Sequence, residues 1–268
     1  VFVVAAIDVQ NVKLGYGDSI IIDDISLEIP VGGFASVIGP NGCGKSTLLK
    51  SISRNLRPLS GRISIEGTPV REYDTRLLSR KLAFLAQSPS VPEQFSVREL
   101  VSYGRYPYTH WLGTLTAHDH EIIDWAMKMT EITEFAEREM VHLSGGERQR
   151  VWIAMALAQE ADILLLDEPT TYLDIAHQFQ TLELIHRLHR EMDKTVLMVL
   201  HDLNQAARYS ERLFVMKQGS LVADGSPEEI LQEEMLREVF SIETKVIWDD
   251  ENDCPYFIPL RGLTVEAV

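Results

Sequence analysis

The chain has 268 residues, 45% apolar and 24% charged, enough to bury one substantial core or a core with a further lobe. Its formal net charge of −15 speaks against a nucleic-acid binder, which carries a basic stripe, and against adhesion to an anionic membrane through bulk charge. No apolar run approaches the roughly 18 residues needed to cross a bilayer, so any membrane association has to run through a protein partner.

The opening VFVVAAI is short, lacks a basic flank and reads as a first strand rather than a signal peptide. Residues 5–29 alternate apolar and polar positions about Gly15-Tyr16-Gly17-Asp18, which predicts an antiparallel hairpin. Pro30-Val31-Gly32-Gly33 reads as a turn, and residues 34–38 as a short buried strand running into a glycine loop. A helical pattern covers 45–55 and is stopped by Arg57-Pro58. Residues 61–66 read as a further strand of the hairpin sheet, and 83–86 as a short strand ending at Gln87-Ser88-Pro89.

Residues 88–160 hold no strand pattern; helices are expected at 97–103, 117–130 and 146–159. In the last, Val151, Ala154, Met155 and Ala158 fall at i, i+3, i+4 and i+7 and form an apolar face. Alternation then resumes with a strand at 162–167, a helix at 175–192, a strand at 195–200, a helix at 203–210 and a strand at 212–217. Such alternation implies a parallel sheet covered on both faces. The block 88–160 therefore reads as a helical insertion into an α/β core made of 1–87 and 161–240. Residues 241–268, acidic at Asp249-Asp250-Glu251 and Asp253, form a C-terminal extension with weak periodicity and read as a solvated face. Two cysteines, Cys43 and Cys254, cannot make a disulfide framework and point to a reducing cytoplasm.

Three short segments carry chemistry. GPNGCGKST at 39–47 matches the phosphate-loop pattern and stands after a strand and at the head of a helix. Gly39, Gly42 and Gly44 let the backbone, with Pro40, Asn41, Cys43 and Thr47, curl so that N–H groups point at phosphate oxygens. Lys45 is placed for the β- and γ-phosphates of ATP and Ser46 for Mg²⁺. Cys43, near a helix N-terminus, is expected to be a small loop residue whose thiol can have a lowered pKa; alkylation should inactivate, and MgATP should protect. ILLLDEP at 163–169 ends a buried strand in two carboxylates: Asp167 to hold Mg²⁺ through its water shell, and Glu168 to activate an attacking water. LSGGE at 143–147, with Ser144, Gly145, Gly146 and Glu147, is a second glycine-rich turn opening a helix and hence a second anion site. Two phosphate-holding turns so far apart in one chain imply a dimer.

Taken together these segments resemble the ATP-binding cassette (ABC) family, whose signature is matched by LSGGERQR without a substitution. The resemblance implies a P-loop NTPase (RecA-like) parallel-sheet core, an N-terminal antiparallel β-subdomain and an inserted α-helical subdomain. It implies that Ser144, Gly145 and Gly146 grip the γ-phosphate of ATP held on a partner copy. It places Tyr16 where an aromatic ring stacks on adenine, and Gln87 where a glutamine meets Mg²⁺ and the attacking water. His201, after the apolar strand TVLMVL, matches the histidine that touches the γ-phosphate. Asp174 matches the aspartate that links the two active sites, although Tyr172 departs from the small or polar residue usual beside it. His118 and His120, at i and i+2, would not share a helical face, and His186 and His189 have no evident acidic or cysteine partner, so neither pair is expected to hold a metal.

Because the chain has no membrane span, the resemblance implies separate integral membrane permease subunits, an ATP-driven homodimer at the cytoplasmic face and, indirectly, a substrate-binding protein. The permease-facing segment would be 89–113, with Gly104-Arg105-Tyr106-Pro107 and further aromatics. That stretch, together with 171–178 and 201–209, is similar to importers of the iron–siderophore, haem and cobalamin type. A ferric siderophore is the expected cargo. Haem, cobalamin, Mn²⁺ or Zn²⁺ importers and a soluble, non-transport ABC ATPase are the alternatives.

Overall fold

In a computed structural model, which describes residues 5–87, 94–109 and 114–263, β1 (Ala5–Tyr16) and β2 (Ser19–Pro30) form the expected antiparallel hairpin about Gly17-Asp18. The expected strand residues 1–4 lie outside the described residues. β3 (Phe34–Ile38) is buried along its whole length and runs through the glycine loop into α1 (Lys45–Ile52). The helix ends before the expected residue 55. Arg54 turns left-handed at φ 64°, and the Leu56 N–H closes back on the Lys50 carbonyl at 3.0 Å. β4 (Ser60–Ile65) pairs antiparallel with β1, and β5 (Thr68–Pro69) with β4.

α2 (Thr75–Lys81) is a helix that hydrophobic spacing alone does not reveal; Asp74 starts it by accepting from the Arg76 and Leu77 N–H groups. β6 (Leu82–Leu85) follows, then α3 (Val97–Ser102), α4 (Ala117–Met129) and α5 (Gly145–Ala158). Each of these three helices begins in a capping box, at Ser96–Glu99, Thr116–Asp119 and Ser144–Glu147. β7 (Ile163–Asp167), α6 (Ile175–Met192), β8 (Thr195–Val199), α7 (Leu203–Tyr209) and β9 (Arg212–Lys217) lie where the alternation predicts. Beyond them come β10 (Ser220–Gly225), α8 (Pro227–Ile230), α9 (Glu233–Phe240), β11 (Ile242–Asp249) and β12 (Cys254–Gly262).

Two compact units divide these elements: residues 1–70 with 196–268, and residues 71–195. In the first, strands run in the order β5-β4-β1-β2-β10-β9-β3-β8. The pairings among β1, β2, β4 and β5 are antiparallel, whereas β2 is parallel to β10 and β3 to both β8 and β9. Phe34, Val37 and Ile38 of β3, Leu48, Leu49 and Ile52 of α1 and Leu213, Phe214 and Val215 of β9 are buried. The tail is more ordered than its weak periodicity implies. β11 and β12 form an antiparallel hairpin, and the Asn204 side chain pins Phe257 by both its N–H (2.9 Å) and its carbonyl (3.1 Å).

The second unit contains β6 and β7, paired in parallel from Leu82↔Ile163 to Leu85↔Leu166, together with α2 to α6. α5 touches α3, α4 and α6, which explains why Ile153, Ala156 and Leu157 are buried as well as the predicted Val151, Ala154 and Ala158. Met155 stays half-buried. Arg105, expected within an interface loop, is instead only 2% exposed. Its guanidinium donates to Asp119 (2.9 Å), Glu160 (2.6 Å) and the Ala158 carbonyl (2.8 Å), and lies over the Tyr108 ring. Burial opposes ionisation of Asp119, but hydrogen bonds from Thr116 and Arg105 outweigh it and bring its pKa down to about 2. Residues 89–93 and 110–113 of the expected permease-facing segment lie outside the described residues.

Candidate functional site

In the first unit the glycine loop is built by close packing. Gly39 has φ 150°, and a Cβ there would stand 2.1 Å from the Met216 carbonyl oxygen. Gly44 is the N-cap of α1 at φ 108°, and a Cβ would meet the Ile22 side chain at 2.9 Å. Only glycine fits either place. α1 has no side-chain cap at Gly44. Lys45 is 5% exposed and curls back along the loop, donating to the Gly39 (2.8 Å) and Pro40 (3.0 Å) carbonyls. Ser46 and Thr47 in the first turn are half-buried, while Asn41 and Gly42 are exposed.

Cys43 corrects the expectation of an acidified thiol. It is 4% exposed, and burial raises its pKa above the ordinary value despite the opposing charge of Lys45. Tyr16 ends β1 with its ring half-exposed at 49%, the free surface that stacking on a base requires. His201 is exposed between β8 and α7, ahead of Asp202, which caps α7 by accepting from the Gln205 N–H.

In the second unit, Asp167 ends β7 and is 2% exposed; Glu168 follows at 9% exposure. Glu168 adopts φ 54°, a left-handed conformation costly for a side chain with a Cβ and held only where its surroundings enforce it. The Gln87 amide donates to Glu168 Oε2, and the Thr171 hydroxyl donates to the same oxygen at 2.9 Å. Gln87 and Glu168 are thus brought together although 81 positions separate them.

The signature turn is closed by its own side chains. Ser144 Oγ accepts from the Glu147 N–H (3.3 Å), and Glu147 Oε2 accepts from the Ser144 N–H (2.7 Å). Hydrogen bonds to the Glu147 carboxyl from the Ser144 backbone N–H and from the Ser144 side chain hold it below its ordinary pKa. A Cβ on Gly146 would stand 2.3 Å from the His177 ring, whereas one on Gly145 would meet nothing nearer than Leu173 at 3.5 Å. His177 is oriented by Asp174, whose Oδ1 lies 2.8 Å from Nδ1 and accepts from the His177 N–H at 2.9 Å. Asp174 therefore caps α6 and fixes this ring, and those contacts lower its pKa. Tyr172 stands at φ 65° with its ring 86% exposed.

Thr171 and His177 are absent from the sequence-predicted set. A hydroxyl three positions after a strand-end carboxylate in a tight turn is the signal for the first; no local signal marks the second. The magnesium donors expected are a hydroxyl (Ser46), a carboxylate (Asp167) and an amide oxygen (Gln87). All are hard oxygen ligands of the kind that ion takes, and few of them are needed because it keeps its waters.

A parallel-stranded sheet with a glycine loop between β3 and α1, and a buried carboxylate ending β7, defines a P-loop nucleotide-hydrolysing fold. The ABC transporter family matches residues 22–171, and the chain belongs to that family of ATP-hydrolysing cassettes. It is 44% identical over 250 residues to the iron(3+)-hydroxamate import ATP-binding protein of Bacillus subtilis, covering 93% of both chains. Identity to the ferric enterobactin transport ATP-binding protein of Escherichia coli is 42% over 257 residues, 96% of this chain and 95% of that one. Among solved structures, a metal-chelate type ABC transporter in an inward-facing conformation has a TM-score of 0.84 at 29% identity, covering 96% of this chain and 98% of that chain. The dimeric cassette MJ0796 bound to ADP and Pi has a TM-score of 0.72 at 30% identity, covering 82% and 98%. No helix among the described residues is long and apolar enough to cross a membrane.

Proposed function

We propose that this chain is the ATP-binding subunit of a ferric-siderophore importer. It works with separate membrane permease subunits at the cytoplasmic face and, indirectly, with a substrate-binding protein. The observation that carries the reading is identity of 42% or more, over at least 93% of the chain, to several subunits named for iron-chelate import. Tyr103 and Tyr106, 52% and 68% exposed, supply the aromatic surface that a permease contact needs.

Two copies close head to tail around two ATP molecules. The phosphate loop and Lys45 of one copy hold the phosphates, Tyr16 stacks on the adenine, and Ser144, Gly145 and Gly146 of the partner subunit grip the γ-phosphate. Ser46, Asp167 and Gln87 would hold Mg²⁺, which neutralises charge on the transferring phosphoryl group. Glu168 takes the proton of the attacking water, and His201 contacts the γ-phosphate. General-base help of this kind is worth about 10²–10⁴ in rate.

Glu168→Gln should bind ATP, dimerise stably and hydrolyse at least about a hundredfold more slowly. Near-normal turnover would remove Glu168 as the base. Ser144→Arg should abolish hydrolysis while the monomer still binds ATP; loss of binding would contradict a grip on the partner's nucleotide. Cargo is tested by uptake into vesicles holding the reconstituted complex. A cobalamin import subunit of Halobacterium salinarum is 38% identical over 97% of this chain, with 65% of that protein covered, so cobalamin is the comparison cargo. Uptake of cobalamin but not of ferric siderophores would overturn the iron reading.

A further inference from the structure

Glu168 Oε2 accepts one hydrogen bond from a distant residue and one from its own turn. Gln87, exposed and two residues past the end of β6, reaches it across 81 positions. Thr171 reaches it from the same turn, where its own N–H returns to the Glu168 carbonyl at 3.2 Å. Pro169 restricts the backbone between them. Glu168 is itself left-handed at φ 54°, so the turn that carries Thr171 also stabilises the conformation that aims the carboxylate.

We propose that Thr171 is a positioning residue for ATP hydrolysis: its hydroxyl holds the Glu168 carboxylate in the orientation that receives the proton of the attacking water. The inference rests on the reading of Glu168 as general base. In that step the water oxygen bonds to the γ-phosphorus and its proton passes to the Glu168 carboxylate. The bond from γ-phosphorus to the bridging oxygen breaks, and its electron pair leaves with ADP. If Gln87 turns toward the magnesium ion, one donor to Oε2 is withdrawn. Thr171 cannot leave in the same way, because three residues and a closed turn tether it. A glutamate side chain has three rotatable bonds, and catalysis falls steeply when a reacting group strays from its attack geometry.

The test measures ATPase kinetics of the full chain bearing Thr171→Val, Thr171→Ser or Glu168→Gln, and the double variant E168Q/T171V. Valine keeps the branched shape of threonine and removes the hydroxyl, so its kcat should fall about tenfold with KM for ATP within about twofold of normal. Serine restores the hydroxyl and should recover most of the rate. In the Glu168→Gln background the valine substitution should add no further loss, because the two groups act as a unit. If T171V does not fold, T171A serves in its place.

Full activity in T171V beside an inactive E168Q overturns this inference and leaves Glu168 as the base. A T171S variant as slow as T171V, or a loss confined to KM, also overturns it. Full activity in E168Q defeats the general-base reading itself, whatever the Thr171 variants do.

Discussion

α1 and α5 both begin in glycine-rich turns that resemble anion sites, yet they are built in opposite ways. α1 starts from a left-handed glycine with no side-chain cap, and the shape of its loop is imposed by neighbouring strands pressed against Gly39 and Gly44. α5 starts from an extended Ser144 whose side chain and Glu147 satisfy the first turn between them. The first turn is therefore preorganised by packing rather than by a side-chain cap. Under the proposed mechanism the second must exchange bonds of its own before Ser144 can meet a phosphate, whereas the Gly145 and Gly146 amides need no such exchange. A preorganised turn suits a nucleotide held within one chain; a self-satisfied one suits a contact made only when a second chain closes.

Alanine substitution at the glycines tests this contrast most strongly. Gly39→Ala puts a Cβ 2.1 Å from a backbone oxygen at φ 150°, and should lose about 3 kcal/mol or more of stability together with ATP binding. Gly145→Ala, with nothing nearer than 3.5 Å, should stay within about 0.5 kcal/mol of the parent in denaturant unfolding. Equal damage at both would erase the difference between the turns.

Gly146→Ala should cost about 1–3 kcal/mol, and His177→Ala in the same chain should recover part of it, because the His177 ring occupies the Cβ position. Failure of that rescue would mean that backbone freedom, not the ring, demands glycine. Ser144→Ala should cost about 1 kcal/mol through its lost cap.

The smallest effect is in pH. The Glu147 carboxyl lies below its ordinary pKa, so its contribution is present above the unfolded value and disappears as pH falls through the folded one. Between pH 5 and pH 3, thermal unfolding of the parent should therefore shift down slightly more than that of Ser144→Ala. Parallel shifts would show that the capping box adds nothing in solution.

Elements whose signal is local were legible in the chain. β3, β7 and α6 occur where a buried apolar run or a helical period places them, and the phosphate loop needs its glycines at fixed spacing. α2 and the β11–β12 hairpin escaped because their cores are shared: α2 has the single buried side chain Leu78, and the hairpin depends on Asn204, 53 positions away from Phe257. Arg105 lay inside an aromatic stretch that reads as interface. Its burial follows from Asp119, Ala158 and Glu160, which no window around it contains. Cys43 misled for a related reason. A helix N-terminus acidifies a thiol in principle, but the packing that removes water from this one acts more strongly.

By itself the amino-acid order determined the class of chemistry. Curling backbone around phosphate requires glycine, lysine and a hydroxyl at set intervals, and those intervals are covalent facts. Only the tertiary structure decided how the reactive groups are held: Gln87 and Thr171 on one oxygen of Glu168, and His177 beneath Gly146. Side-chain contacts across a fold depend on where each backbone segment comes to rest, and local spacing carries no record of that.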